Sequence, residues 1–196
     1  MGSDENCLGD KSVKTEEISK PNKNNSTQII SLSRSLTRGD DSEIKLFKNA
    51  LIDLHNELRK KHNSPNLKEN KELNYLADEF AMNYLLNQRN QMNIYDGKYY
   101  GENIIISDSK DPKIIFKEWS KESEKYDFNK NHFERNALHF TQIIWKETNE
   151  IGIGIANDVV NKKYCAVVLY YPLGNTLGEF SKNVNKKYFS LEKSIH

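Results

Sequence analysis

No stretch of this 196-residue chain is apolar enough to cross a bilayer; the strongest run, residues 165–173, falls far short of the roughly 20 residues a spanning helix needs. A secretory leader pattern is also missing. The first residues, MGSDENCLGDKSVKTEE, are acidic and polar where a leader carries a basic flank and an apolar stretch, so a conventional secretion signal is not expected. Only 2 cysteines are present, Cys7 in polar surroundings and Cys165 inside an apolar run, which argues against an intramolecular bridge and for a reducing compartment. In the run YCAVVLYY, Cys165 reads as a small buried hydrophobe rather than a nucleophile. Excess charge of one sign is lacking too. With 29 Lys plus Arg against 28 Asp plus Glu, the net charge of +1 leaves no basic footprint for phosphate, and nucleic acid is not expected as a partner.

What is present divides the chain. Residues 1–43 hold few large apolar side chains and no sustained period, so they are expected to form a disordered polar arm that cannot bury enough surface to offset chain entropy. Its serines at Ser31, Ser33 and Ser35 suit a solvated linker, with phosphorylation as the functional alternative. Phe47, Leu51, Leu54 and Leu58 then fall at helical spacing, predicting a first helix over about 43–61 capped by Asp41 or Ser42 and closed by Pro65. The stripe of Leu73, Leu76, Ala77, Phe80, Ala81 and Tyr84 predicts a second helix over about 70–87. Asp111-Pro112 predicts the start of a third, with Ile115, Trp119 and Glu122 sharing one face, and a short fourth fits 137–145. IGIGIAND and KKYCAVVLYYP read as antiparallel strands across the turn at 157–162, and 100–107 as a third strand. The expected fold class is α+β, an α-β-α sandwich with a small central antiparallel sheet flanked by about four helices.

Five short strings carry a resemblance. They are His55-Asn56 with Arg59, Tyr100-Gly101-Glu102-Asn103, Trp119 with Glu122, the run from His139 to Trp145 (HFTQIIW), and the closing YYPLGN at 170–175. Each alone is common, but in this order over about 130 residues they resemble the CAP superfamily of cysteine-rich secretory, antigen 5 and pathogenesis-related proteins. The resemblance spans about 44–180, leaving the arm and a basic C-terminal tail at 181–196. Secreted members carry several disulfides, and at one cysteine usual near the closing tyrosine this chain has Val168. The chain is therefore most similar to the Golgi-associated, non-secreted pathogenesis-related-like branch.

The resemblance implies a cleft of two histidines and two glutamates, which in some members holds a divalent metal. It carries over Glu102, Glu122 and His139. The remaining histidine has no counterpart, because its position falls on Gln91 or Met92 and no histidine lies between His62 and His132. One imidazole with two carboxylates lacks the donor set of a tight zinc site, so no cofactor is expected, and His139, Glu102 and Glu122 remain only weak metal candidates. Glu122 is expected to point into the cleft, where an unneutralised pair with Glu102 would be costly unless His139 relieved it. His55 and His62 stand two helical turns apart, about 10 Å, too far for one ion, and read as a core or cap contact and a surface residue. His132 reads as a loop residue, and the tyrosine pairs at 99–100 and 170–171 as packing or as the lining of an apolar groove.

The implied function is that of a non-catalytic CAP-domain protein at an intracellular membrane surface such as the cytoplasmic face of the Golgi, binding lipid or sterol. A metal-assisted hydrolase using Glu102, Glu122 and His139 is the alternative from another class, and a protein-interaction scaffold is a third. The expected partners are lipids, sterols and a membrane surface, with a homodimer left open. Gly2 follows Met1 as in a myristoylation pattern, although position six is Asn6, and Cys7 is the nearby candidate for a second acyl chain.

Overall fold

A computed structural model of the chain describes residues 36–37, 40–86, 94–95 and 97–187. The positions Gly2, Cys7, Gln91 and Met92 lie outside the described residues. In chain order the elements are β1 (Leu36–Thr37), α1 (Asp41–Lys61), β2 (Lys68–Glu69), α2 (Lys71–Leu85), β3 (Ile94–Tyr95), β4 (Lys98–Tyr99), β5 (Gly101–Ser107), α3 (Pro112–Ser120), α4 (Leu138–Ile144), β6 (Glu150–Asp158), β7 (Lys163–Tyr171) and α5 (Phe180–Asn183). Single 3-10 segments, Lys121–Lys125 and Arg135–Ala137, lie between α3 and α4.

The main sheet has the order β1-β6-β7-β5, with β2 added to β6. Its long pairs are antiparallel as expected, whereas the two-residue β2 runs parallel to β6, pairing Lys68 with Glu150. β3 and β4 form a separate hairpin. One face of the sheet carries α1, α3 and α4 over a core centred on Leu51, Trp119, Phe140, Ile143, Trp145, Ile153 and Tyr170. The other face carries α2, whose Leu73, Leu76, Ala77 and Ala81 cover Cys165, Val167 and Leu169. The two cores on opposite faces of one sheet make the expected α-β-α sandwich.

Local chemistry sets the helix starts. The cap of α1 is Asp40, one residue earlier than expected, since its carboxylate accepts the Ser42 N–H at 2.8 Å and the Glu43 N–H at 3.3 Å. Asn70 caps α2 in the same way, and Asp111 caps α3 ahead of Pro112. α3 ends at Ser120, so Glu122 belongs to the following 3-10 turn rather than to the helix of Trp119. Past Phe180, the stretch expected as a tail begins packed. Val184 is buried, and the Asn183 side chain accepts the Glu147 N–H at 3.0 Å.

The alternating glycines of β6 are explained by α2. A Cβ on Gly152 would meet the Leu73 backbone at 2.3 Å and one on Gly154 the Ala77 backbone at 2.1 Å, so the helix lies directly on the strand. The same proximity lets Asn74 Oδ1 accept the Ile153 N–H at 2.7 Å and Asp78 Oδ1 accept the Ile155 N–H at 3.2 Å. Asp78 also pairs with the buried Lys48 at 3.0 Å, tying α2 to α1 past the edge of β6. Gly154→Ala is expected to push α2 off the sheet and destabilise the fold by about 2 kcal/mol or more, as overpacking does in close-packed cores. Urea unfolding measures this, and an unchanged midpoint would contradict the packing account.

Candidate functional site: Glu122 and His139 beside the edge strand

Helix α4 has no side-chain cap of its own, and its first turn is closed from outside by Glu122. Glu122 Oε2 accepts the His139 N–H at 2.9 Å and the Phe140 N–H at 3.3 Å, while Oε1 accepts Nδ1–H of His139 at 2.7 Å. A carboxylate is the right group for unsatisfied helix N–H donors, so its first task is to complete the helix. Trp119 is buried and positions this arrangement, its indole stacking on the His139 ring at 6.4 Å. From the sheet, Asn103 Nδ2 donates to the His139 carbonyl at 3.1 Å. The Asn103 Oδ1 and Trp119 Nε1 atoms are buried without hydrogen-bond partners among the described residues.

Glu102 precedes Asn103 on β5 and therefore points to the opposite face, where Tyr84 Oη of α2 donates to its Oε1 at 3.2 Å. The structure joins Glu122 to His139 but places Glu102 with the other helical layer. The expected repulsion between Glu102 and Glu122 is thus avoided by strand alternation rather than by a shared histidine. The Tyr84 contact was hidden in the sequence, because Tyr84 continues the apolar stripe of its helix.

His55, Asn56 and Arg59 of α1 organise the interior beneath this site. Leu51 O can only accept, so the 2.7 Å contact fixes the proton of His55 on Nδ1; Nε2 then accepts from Tyr170 Oη at 2.8 Å. Complete burial of this imidazole holds its pKa down, to about 4. Asn56 mimics a strand neighbour, its Oδ1 accepting the Leu67 N–H at 2.7 Å and its Nδ2 donating to Leu67 O at 3.3 Å. Arg59 is 0% exposed and donates to four carbonyls: Nε to Pro65 at 2.7 Å, Nη1 to Ile143 and Trp145 at 2.8 Å each, and Nη2 to Thr148 at 2.7 Å. Desolvation lowers its pKa to about 10, which leaves it charged at neutral pH.

The HFTQ run interlocks with the closing segment. Thr141 Oγ1 donates to Asn175 Oδ1 at 2.6 Å, Asn175 Nδ2 donates to Leu138 O at 2.9 Å, and Gln142 Oε1 accepts the Gly174 N–H at 2.8 Å. Gln142 is held there so closely that a Cβ on Gly101 would meet its Oε1 at 2.1 Å.

Other candidates take different places from those expected. His62 is buried, not a surface residue: its Nδ1–H donates to Asn185 O at 2.7 Å, and it lies against Phe128 and Phe140. His132 is exposed beside Glu134 at 3.3 Å. Cys165 is buried, and desolvation pushes its thiol up to about 12, the behaviour of a packed hydrophobe. Tyr170 is wholly buried, Tyr100 packs on Tyr171 at 5.7 Å, and Tyr99 stays exposed.

The family model described as "CAP: Cysteine-rich secretory protein family" matches residues 52–171, more than half of the chain. The chain belongs to the CAP family. It is 32% identical over 148 residues to the human Golgi-associated plant pathogenesis-related protein 1, covering 73% of this chain and 95% of that protein. A probable pathogenesis-related protein of Candida albicans is 33% identical over 141 residues, covering 70% and 66% of the two chains. Among solved structures, the Schistosoma mansoni venom allergen-like protein 4 matches with a TM-score of 0.56 and 25% identity, over 64% of this chain and 88% of that one. A structure of NaASP2 with Zn2+ matches at a TM-score of 0.53 and 22% identity, over 71% and 85%, and speaks for the fold alone.

The donor set here does not fit a resident zinc ion. His139 offers a single imidazole whose Nδ1 is engaged by Glu122, Glu102 faces away, and among the described residues no group of three or more His, Cys, Asp or Glu could hold a metal. Glu122 and His139 form a hydrogen-bonded pair that closes the start of α4. Glu122→Ala leaves two helix N–H donors unpaired and is expected to cost about 2–3 kcal/mol by urea unfolding, with Glu122→Gln costing less. Arg59→Met is expected to cost about 3 kcal/mol or more in the same assay, because it strands four carbonyls.

Acid should act through His55. The unfolded chain takes up this proton near the ordinary histidine pKa of about 6.5 and the folded one only near 4, so the contribution is complete above about 6.5 and is lost as pH falls toward 4. The expected loss is of order 3 kcal/mol, read as a falling unfolding midpoint. His55→Gln should flatten that fall, and an equal slope in wild type and variant would refute the assignment.

Proposed function

We propose that this CAP protein is a non-catalytic lipid-binding protein that works at a membrane surface and takes a sterol or fatty-acyl ligand. The observation that carries the reading is a cavity of about 430 Å³ at the end of the sheet away from Glu122 and His139. Its walls are mainly apolar, from Ile44, Phe47 and Ala50 of α1, Pro112 at the start of α3, Ile155 of β6 and Tyr164 of β7. The volume lies in the ligand-pocket range of roughly 300–1,000 Å³, where an apolar lining with few polar groups favours an amphipathic occupant. Lys110 and Glu43, paired at 2.7 Å, line the same cavity and offer a cation and an anion to a headgroup.

Two further points support a binding role. Glu122 and His139 hydrogen-bond to each other and close the start of α4, which favours a structural task for the pair. One relative is described as Golgi-associated, which favours a membrane setting for this chain as well. Among the described residues no helix is long and apolar enough to cross a membrane, so contact would run through the bound lipid, or through acylation at Gly2 and Cys7.

The test is displacement of a fluorescent fatty acid, alongside sterol exchange between liposomes, using the full chain. Saturable binding is expected, weakened at least about tenfold when Ala50→Phe fills the cavity, without loss of the folded circular dichroism spectrum. Absence of lipid binding, together with zinc-dependent ester hydrolysis abolished by His139→Ala, would replace this reading with the hydrolase. Binding that survives Ala50→Phe would remove the ligand from this cavity.

A further inference from the structure

The polar N-terminal arm joins the domain at the rim of the apolar cavity. β1 pairs Leu36 with Asp158 and Thr37 with Asn157, and Asn157 is itself part of the cavity wall. Three residues beyond Thr37, Asp40 caps α1, whose Ile44, Phe47 and Ala50 line the same hollow. The residues before Leu36 are therefore tethered next to it. Leu46, also of the wall, is 69% exposed, and the turn after β6 leaves Val159 and Val160 53% and 73% exposed at the same end of the sheet. Apolar surface gathered around a hollow marks a place that something covers.

Composition selects the cover. Up to residue 28 the branched aliphatic residues of the arm stand singly, at Leu8, Val13 and Ile18, whereas Ile29, Ile30 and Leu32 fall within four residues of one another. Only Ser33, Arg34 and Ser35 separate Leu32 from β1, so Leu32 stays within about 14 Å of Leu36 even in an extended chain. Antiparallel pairing points the chain before Leu36 past Asp158, toward the exposed Val159 and Val160. Charge agrees with this placement, since Arg34 follows the aliphatic group and Asp41 and Glu43 are exposed at the start of α1.

We infer that Ile29, Ile30 and Leu32 of this chain occupy the cavity as an internal plug, which an incoming lipid must displace. The plug itself stands on the cavity and on where the arm joins the domain; only its competition with lipid rests on the lipid-binding reading. A tether of a few residues holds the segment at an effective concentration in the millimolar range, so a weak apolar contact is enough to fill the hollow. Burial of three aliphatic side chains favours docking, and the lost freedom of about five ordered residues opposes it with similar strength. A plug balanced in this way yields to a ligand that fills the cavity better.

Disulfide trapping in the full chain, in a Cys7→Ser background, tests the plug without any lipid. Ile30→Cys is paired with Leu46→Cys at the cavity rim and, as a control, with Tyr75→Cys, which is exposed on α2 across the sheet. Under mild oxidation the Leu46 pair is expected to close an internal bridge at least about tenfold faster than the Tyr75 pair, at a rate independent of protein concentration. Ala50→Phe, which fills the hollow, should slow that bridge. Displacement of a fluorescent fatty acid reads the competition. Ile29→Asp with Ile30→Asp is expected to tighten binding about fivefold to tenfold, the factor by which a site open a fifth to a tenth of the time is weakened. Equal bridging in the two pairs, a bridge formed only between copies, or bridging indifferent to Ala50→Phe would overturn the plug. Fatty-acid binding of unchanged affinity in the aspartate variant would also remove the segment from the cavity. Bridging to Leu46 with no fatty acid bound by wild type or variant would uphold the plug and remove the lipid-binding reading instead.

Discussion

A buried guanidinium holds this domain together. Arg59 stands in the interior without a carboxylate partner among the described residues, and the structure compensates with backbone carbonyls drawn from the loop after α1, the end of α4 and the turn into β6. No other side chain could do this: lysine presents a point charge, whereas the planar fork reaches four acceptors at fixed angles. Because those acceptors lie on segments far apart in sequence, the arginine sets the position of α4 relative to the sheet. The site at the other end of α4 depends on that position.

At that site the carboxylate of Glu122 and the imidazole of His139 are best understood as the missing cap of a short helix. A charged residue in that role is electrostatically sound, since helix N–H donors and the imidazole N–H all point at it. The family resemblance draws attention to the same residues as a metal cleft, and both readings predict that they lie together. They part over Glu102. Strand alternation turns it to the α2 layer and Tyr84, so the cluster that a metal would need is divided by β5.

The sheet thus separates distinct duties. One end carries the interlocked Thr141, Gln142, Gly174 and Asn175 with the polar pair above them. The other end leaves an apolar hollow under the first half of α1, with an ion pair beside it. Along the side, α2 caps the β6 edge, with Asn74 and Asp78 accepting the N–H groups of Ile153 and Ile155. The hollow and the polar site can coexist because each uses a different end of the same sheet.

Much of this was legible in the sequence. The helical stripes of α1 and α2, the capped start at Asp111-Pro112, the two long strands and the ordered HNxxR, GEN, WxxE and HFTQ strings determined the elements and the family, because periodicity and short motifs are local properties. The resemblance also named Glu102, Glu122 and His139. The sequence did not show that His62 would be buried, that Asp40 would be the cap, or that Glu122 would leave the helix of Trp119. Nor could it show the cavity, whose walls come from residues 43–50, 110–112, 155–157 and 164. Those outcomes depend on which layer a side chain faces and what the chain brings against it, and only the closed tertiary structure decides that.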